Sequence, residues 1–127
     1  MTRSYEQQCP IARTLDLVGD RWTLLIIRDL FFGKSKFKEF LELSPGMPTR
    51  MLSERLKSLE AHGLIERSVY CTHPLRAEYR LTAAGRSLRP VLEALVAWGL
   101  DHAFEPDERA VVVEKVNRLT AGLDRVP

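Results

Sequence analysis

The chain has 127 residues, 45% hydrophobic and 28% charged, which fits one folded domain around a single core and excludes disorder. Net charge is only +2, yet residues 34–80 hold nine basic and six acidic side chains while residues 101–127 hold four basic and six acidic. A mildly basic middle and an acidic tail fit a binding face on one side of the molecule. No run of eighteen apolar residues, the length a membrane span needs, is present, and the polar N-terminus does not read as a secretory signal. Two cysteines read as reduced thiols, so a cytoplasmic location is expected.

Residues 1–8 are polar and expected to be loosely held. Pro10 suits the first position of a helix, whose apolar side is Leu15 and Val18 and whose stop is Gly19. Asp20 caps a second helix, Arg21 to about Phe32, apolar nearly all round and therefore a core helix stopped by Gly33. Lys34-Ser35-Lys36 reads as a link containing a single bridge of strand. A third helix, Lys36 to Leu43 with Ser35 as cap, turns Phe37, Phe40 and Leu41 inward.

Ser44-Pro45-Gly46-Met47-Pro48 is a turn by composition, and a fourth helix follows from about Thr49 to His62, stopped by Gly63. Leu52, Leu56 and Leu59 recur at i, i+4 and i+7 and share its buried face. Arg50, Ser53, Glu54, Lys57 and Ala61 fall on the opposite side. Two helices joined by such a turn form a helix-turn-helix, and the outward residues of the second suit a DNA major groove.

Leu64 to Tyr70 and Ala77 to Leu81 read as strands, the second alternating Ala77, Tyr79 and Leu81 with Glu78 and Arg80. The six residues Cys71 to Arg76 are too many for a tight hairpin and predict a projecting wing loop carrying His73 and Arg76. Thr82 caps a long helix to about Ala103, rich in Leu88, Val91, Leu92, Leu95, Val96 and Trp98; Pro90 should kink it or mark a late start. A last helix from Pro106 carries Asp107 and Glu108 at its positive end and a stripe of Val112, Val116, Leu119 and Leu123. The fold class expected is mainly α with a small β-hairpin: a winged helix-turn-helix with extra terminal helices.

The ordered set Cys9-Pro10, Gly19-Asp20-Arg21-Trp22, Lys36-Phe37-Lys38-Glu39, Pro45-Gly46-Met47, Leu52-Ser53-Glu54-Arg55-Leu56, Gly63-Leu64-Ile65, Glu78-Tyr79 and Leu81-Thr82-Ala83-Ala84-Gly85 resembles the HxlR-type winged-helix transcriptional regulators, relatives of the MarR group. The pattern covers residue 9 to about residue 99. The resemblance implies a homodimer on a pseudo-palindromic double-stranded DNA operator, dimerised through terminal helices. Residues 1–127 are then a single domain, with a DNA-binding core of about 9–82 and dimerisation helices of about 9–19 and 83–122. It further implies a thiol at Cys9 sensing electrophiles or oxidants. Departures are Asp20-Arg21 where Gly-Lys is frequent, Pro48 where Ser often sits, and Ala77 where Val is usual; Pro48 shifts the cap to Thr49.

The candidate DNA contacts are therefore Thr49, Arg50, Ser53, Glu54 and Lys57 on the fourth helix, His73 and Arg76 on the wing, and Lys34, Lys36 and Arg67 for phosphates. Arg50 suits a guanine edge, because its fork matches O6 and N7, and Lys57 suits phosphate. Glu54 either accepts from a cytosine amino group or pairs with Arg50. At a helix N-terminus the Cys9 thiolate meets free N–H groups and the positive end of the dipole, with Arg13 one turn on. Cys71 is expected to be exposed and incidental, and Trp22 and Trp98 to be core or dimer residues. Cys9 and Cys71 lack metal-ligand spacing, so neither metal nor cofactor is expected. Two alternatives compete: a winged helix used for protein interaction without DNA readout, and a cysteine enzyme. The second lacks a base matched to Cys9 among His62, His73 and His102, so no enzyme is expected.

Overall fold

The computed structural model describes residues 8–120, the side chains of 119 and 120 excepted. In chain order its elements are α1 (Pro10–Val18), α2 (Thr23–Phe31), α3 (Phe37–Leu43), α4 (Thr49–Ala61), β1 (Ile65–Thr72), β2 (Leu75–Leu81), α5 (Ala83–Arg86), α6 (Arg89–His102) and α7 (Pro106–Thr120). Two compact units result, the first ending at Arg86 and the second starting at Ser87.

The first unit is built on apolar side chains from every one of its longer elements. Ile26 and Ile27 of α2, Phe40 of α3, Leu52, Leu56 and Leu59 of α4, and Ile65 of β1 are all essentially inaccessible. Helix α2 packs on β2 and α3, α3 on α4, and α4 on β1, so the three-helix core closes against one face of the hairpin. Phe40 meets Tyr79 edge to face, centroids 6.3 Å apart, which ties α3 to β2. Helix α1 buries Ala12 and Val18; Leu15, expected inward, is exposed together with Ile11 and Leu17. Gly19 ends α1 in right-handed conformation rather than the left-handed one a glycine stop suggests (φ −82°), its N–H donating to the Leu15 carbonyl.

The hairpin differs from its sequence expectation. Both strands run on toward each other, Thr72 pairs with Leu75, and only His73 and Pro74 turn between them, across a cis peptide bond. The long loop shrinks because Cys71 pairs with Arg76 across a bulge that sets Tyr70 outside the ladder. That places Cys71 half-buried, not exposed. The link at Lys36 does form a strand bridge, to Glu78, with the Tyr79 N–H donating to the Ser35 carbonyl at 2.8 Å. Helix, turn, helix and hairpin in this order form a winged helix.

The predicted long helix is broken. Thr82 caps only the single turn of α5, its Oγ1 accepting from the Gly85 N–H at 3.1 Å, and α6 restarts at Arg89 with Pro90 in its first turn. Pro90 thus marks the late start, its ring sitting where no amide is needed. In the second unit α6 and α7 pack together, with Val112 and Val116 half-buried. Arg109 joins them through the Leu100 carbonyl (2.9 Å) and Asp101 (3.1 Å). Leu123, residues 121–122 and the polar residues 1–7 lie outside the described residues.

One carboxylate is enclosed in the first unit. Asp29 is 1% exposed; its Oδ1 accepts from Arg28 at 2.8 Å, and its Oδ2 is buried with no partner among the described residues. Burial pushes the Asp29 carboxyl above its ordinary 3.8, outweighing the opposing pull of Arg28 and Lys34. The folded state then binds more protons than the unfolded chain between 3.8 and that raised value, so ionised Asp29 costs stability at neutral pH. Relative to an Asp29→Asn variant, the wild-type protein should gain stability as pH falls from neutral toward 3.8, read as the urea midpoint at each pH. A difference that stays flat, or grows with rising pH, would contradict it.

Candidate nucleic-acid interface

Helix α4 owes its orientation to contacts at both ends and along one side. It is entered by the turn Ser44 to Met47, closed by the Met47 N–H on the Ser44 carbonyl at 3.1 Å, in which Gly46 takes φ +96° and Met47 is buried. A left-handed residue is required there, and only glycine adopts that backbone without strain. Pro48 precedes the helix, which makes Thr49 its first helical residue and not its cap. At the far end Gly63 (φ +74°) reverses the chain, and the Leu64 N–H reaches back to the Leu59 carbonyl at 3.0 Å. Thr82 Oγ1 donates to the Gly63 carbonyl at 2.6 Å, fastening this stop to the start of α5.

With Leu52, Leu56 and Leu59 held inward, Arg50, Glu54 and Lys57 are exposed and Ser53 is half-buried on the same side. The Arg50 side chain is 91% accessible, and its Nε donates to Glu54 Oε1 at 3.2 Å. Of the two roles open to Glu54, the free protein adopts the pairing with Arg50.

On the wing, His73 lies in the turn, and Arg76 is exposed on β2 beside Leu75. Arg67 is exposed on β1 opposite Tyr79. Lys36 is exposed and stands over the Tyr70 ring at 5.5 Å, linking the start of α3 to the hairpin. Lys34 is half-buried and acts electrostatically on Asp29 and Glu39. The structure thus gathers Thr49, Arg50, Ser53, Glu54 and Lys57 on one helix face, and sets His73, Arg76, Arg67 and Lys36 on the hairpin and the strand bridge beside it.

Two positioning contacts escape a reading of the sequence: the Glu39 cap of α3 and the reach of Asp20 to Arg55. Glu39 accepts from the Ser35 N–H (3.1 Å) and the Lys36 N–H (3.0 Å); these bonds hold its carboxyl below the usual range and cap α3 from within. Asp20 accepts from the Trp22 and Thr23 N–H groups and the Thr23 hydroxyl, satisfying the first amides of α2. Its Oδ2 also lies 3.5 Å from Nε of Arg55, a largely buried side chain of α4. Asp20 therefore joins the start of α2 to the middle of α4. The capping role of Asp20 is legible from its place before an apolar run; the Arg55 contact joins residues 35 positions apart, and local pattern carries no trace of it.

Cys9 precedes α1 in extended conformation, its carbonyl accepting from the Arg13 N–H at 3.0 Å, and its thiol is half-buried, outside any disulfide and without a capping hydrogen bond. Trp22 is half-buried beneath the Arg21 guanidinium, whereas Trp98 of α6 is 65% exposed and stacks on His102.

The HxlR-like helix-turn-helix family matches residues 17–107, well over half of the sequence and the whole of the winged helix from α2 onward. The chain belongs to this family. Among HxlR-like relatives, the HTH-type transcriptional regulator sll1512 of Synechocystis is 44% identical over 93 residues, which are 73% of this chain and 69% of that protein. A Mycobacterium tuberculosis relative, also 44% identical, is longer, and the match spans 61% of it. The solved structure of the redox regulator HypR in its oxidized form superposes with a TM-score of 0.68 at 37% identity, covering 74% of this chain and 97% of HypR. The reduced form of the transcriptional regulator YodB from Bacillus subtilis gives 0.63 at 37% identity, covering 76% and 95%. This HxlR-like chain is a transcriptional regulator of the helix-turn-helix type.

Asp20→Ala should destabilise the protein by about 1–2 kcal/mol through loss of the cap, whereas Arg50→Ala, on an exposed face, should stay within about 0.5 kcal/mol. Chemical denaturation of the two variants checks the contrast. Equal midpoints would remove Asp20 from its positioning role.

Proposed function

We propose that the protein is a homodimeric, sequence-specific regulator that places α4 in the DNA major groove and the wing against the adjacent backbone. The observation that carries this reading is the division of α4: three leucines sealed in the core, and Arg50, Ser53, Glu54 and Lys57 turned out, with a tight turn before and a hairpin after. In this arrangement Arg50 reads a guanine edge, Ser53 and Thr49 approach base or phosphate, and Lys57 meets phosphate. Lys36, Arg67, His73 and Arg76 supply the flanking contacts, Arg76 suiting a narrow minor groove; Lys34 contributes from its half-buried place.

Dimerisation is supported by apolar side chains left uncovered within each unit: Ile11, Leu15 and Leu17 on α1, and Val91, Leu95, Val96 and Trp98 on α6. Exposed apolar side chains grouped along one helix are a feature of surfaces that become covered in an assembly. Residues 1–127 then act as one winged-helix domain with a core of about 9–82, dimerising through helices of about 9–19 and 83–122. A cytoplasmic location follows from this role.

The likeness to a redox regulator, together with an unpaired thiol at the head of α1, supports Cys9 as a sensor of a small electrophile or oxidant.

Footprinting the promoter of the protein's own gene should show two protected half-sites about 34 Å apart, as a two-fold dimer requires. Arg50→Ala should cost about 1–3 kcal/mol and relax preference at one base pair, while Lys57→Ala should weaken all sequences alike and lower the salt slope by about one. Cys9→Ser should bind the operator normally and lose any response to diamide or a quinone. An absent or asymmetric footprint would defeat the DNA reading; a response that survives Cys9→Ser would defeat only the sensor.

A further inference from the structure

The Arg50–Glu54 pair is built the wrong way round for a helix-stabilising ion pair. Arg50 is the second residue of α4, where the unsatisfied amides and the dipole already concentrate positive charge, and the first turn holds no acidic residue to balance it. At i and i+4 the favourable order puts the acidic residue first, and here the basic residue comes first. Both side chains are also well exposed, 91% and 49%, where such pairs contribute little to folding. Helix stability therefore does not account for the arrangement.

Its geometry accounts for it differently. Glu54 Oε1 takes the Nε–H of Arg50 at 3.2 Å. A guanidinium offers five N–H donors in a rigid plane, and engaging Nε leaves the two terminal η-amino groups free as an outward fork. That fork is the part which matches O6 and N7 of guanine. A long side chain with no partner would have to be ordered on binding; one already held at Nε loses less freedom. The carboxylate left on the reading face also opposes phosphate, which disfavours binding to duplexes in which Arg50 finds no guanine.

We propose that Glu54 is a positioning residue for Arg50: it presents the Arg50 fork to one guanine per half-site and penalises DNA that lacks it. The inference rests on the reading of α4 as the groove-entering helix, and deepens it by assigning the base class and the residue that enforces it.

The test uses the full chain and the variants Glu54→Ala, Glu54→Gln, Arg50→Ala and the double Arg50→Ala/Glu54→Ala. Each is taken through selection from a randomised duplex pool, followed by affinity measurements on the enriched site, its single-base-pair variants and an unrelated duplex. Glu54→Ala should lose about tenfold discrimination at the same base pair that Arg50→Ala relaxes. It should bind the unrelated duplex roughly threefold more tightly, as expected on removing one like charge from the contact face. Glu54→Gln, whose amide oxygen still accepts from Nε, should keep most of the discrimination. On the enriched site the double variant should lose no more than the Arg50→Ala variant, with all melting temperatures unchanged. Discrimination retained in Glu54→Ala would overturn the proposal, and so would a changed preference at a different base pair, which would mean that Glu54 reads a cytosine directly. In either of these cases an effect of Arg50→Ala confined to one base pair would leave the DNA reading standing. An Arg50→Ala variant with unaltered base preference would remove both the guanine role of Arg50 and the positioning role of Glu54, while a pool from which no site is enriched would remove the DNA reading itself.

Discussion

The structure depends on the sealing of Leu52, Leu56 and Leu59 against α3 and β1. Each is at most 2% exposed, and burying a leucine side chain contributes about 1.5–3 kcal/mol. The rotation of α4 about its own axis is thereby fixed, because any turn of the helix would bring one of the three into water. Everything functional on α4 follows from that rotation: the face opposite the leucines has no freedom to point anywhere except outward.

Rotation alone does not set where the helix lies, and polar contacts complete the placement. Asp20 collects the free amides of α2 and reaches Arg55, and Thr82 ties the glycine stop of α4 to α5. Glu39 satisfies the amides at the start of α3, and the strand bridge between Lys36 and Glu78 holds that same segment to the wing. Helix α4 and the wing are thus each tied by polar contacts to the helices they pack on in the first unit.

What was legible in the sequence was what depends on local pattern. The i, i+4, i+7 leucines, the Pro-Gly turn, the helix stop at Gly63 and the alternation from Ala77 to Leu81 each rest on side-chain spacing or backbone preference within a few residues. Long-range pairing decides the rest, and local pattern does not carry it. Six residues from Cys71 to Arg76 look like a loop, yet the bulge at Tyr70 lets Cys71 pair with Arg76 and reduces the turn to His73-Pro74. Leu15 looks like the inward face of α1 together with Val18, but Ala12 joins Val18 in that place, leaving Ile11, Leu15 and Leu17 exposed. Pro90 left a kink and a late start equally open, and the chain takes the second. The Asp20–Arg55 contact has no local signature, and spacing alone leaves Glu54 equally able to pair with Arg50 or to accept from a cytosine amino group.

The central claim is that the outward face of α4, with the wing beside it, is the surface that meets DNA. Amide hydrogen exchange of the full chain with and without a duplex carrying its own promoter tests this most directly. Slowed exchange should concentrate at residues 49–57 and 73–76, with the amides around Leu56 and Leu59 already protected in the free protein. Protection confined to α6 and α7, or spread evenly with no change at the start of α4, would contradict it.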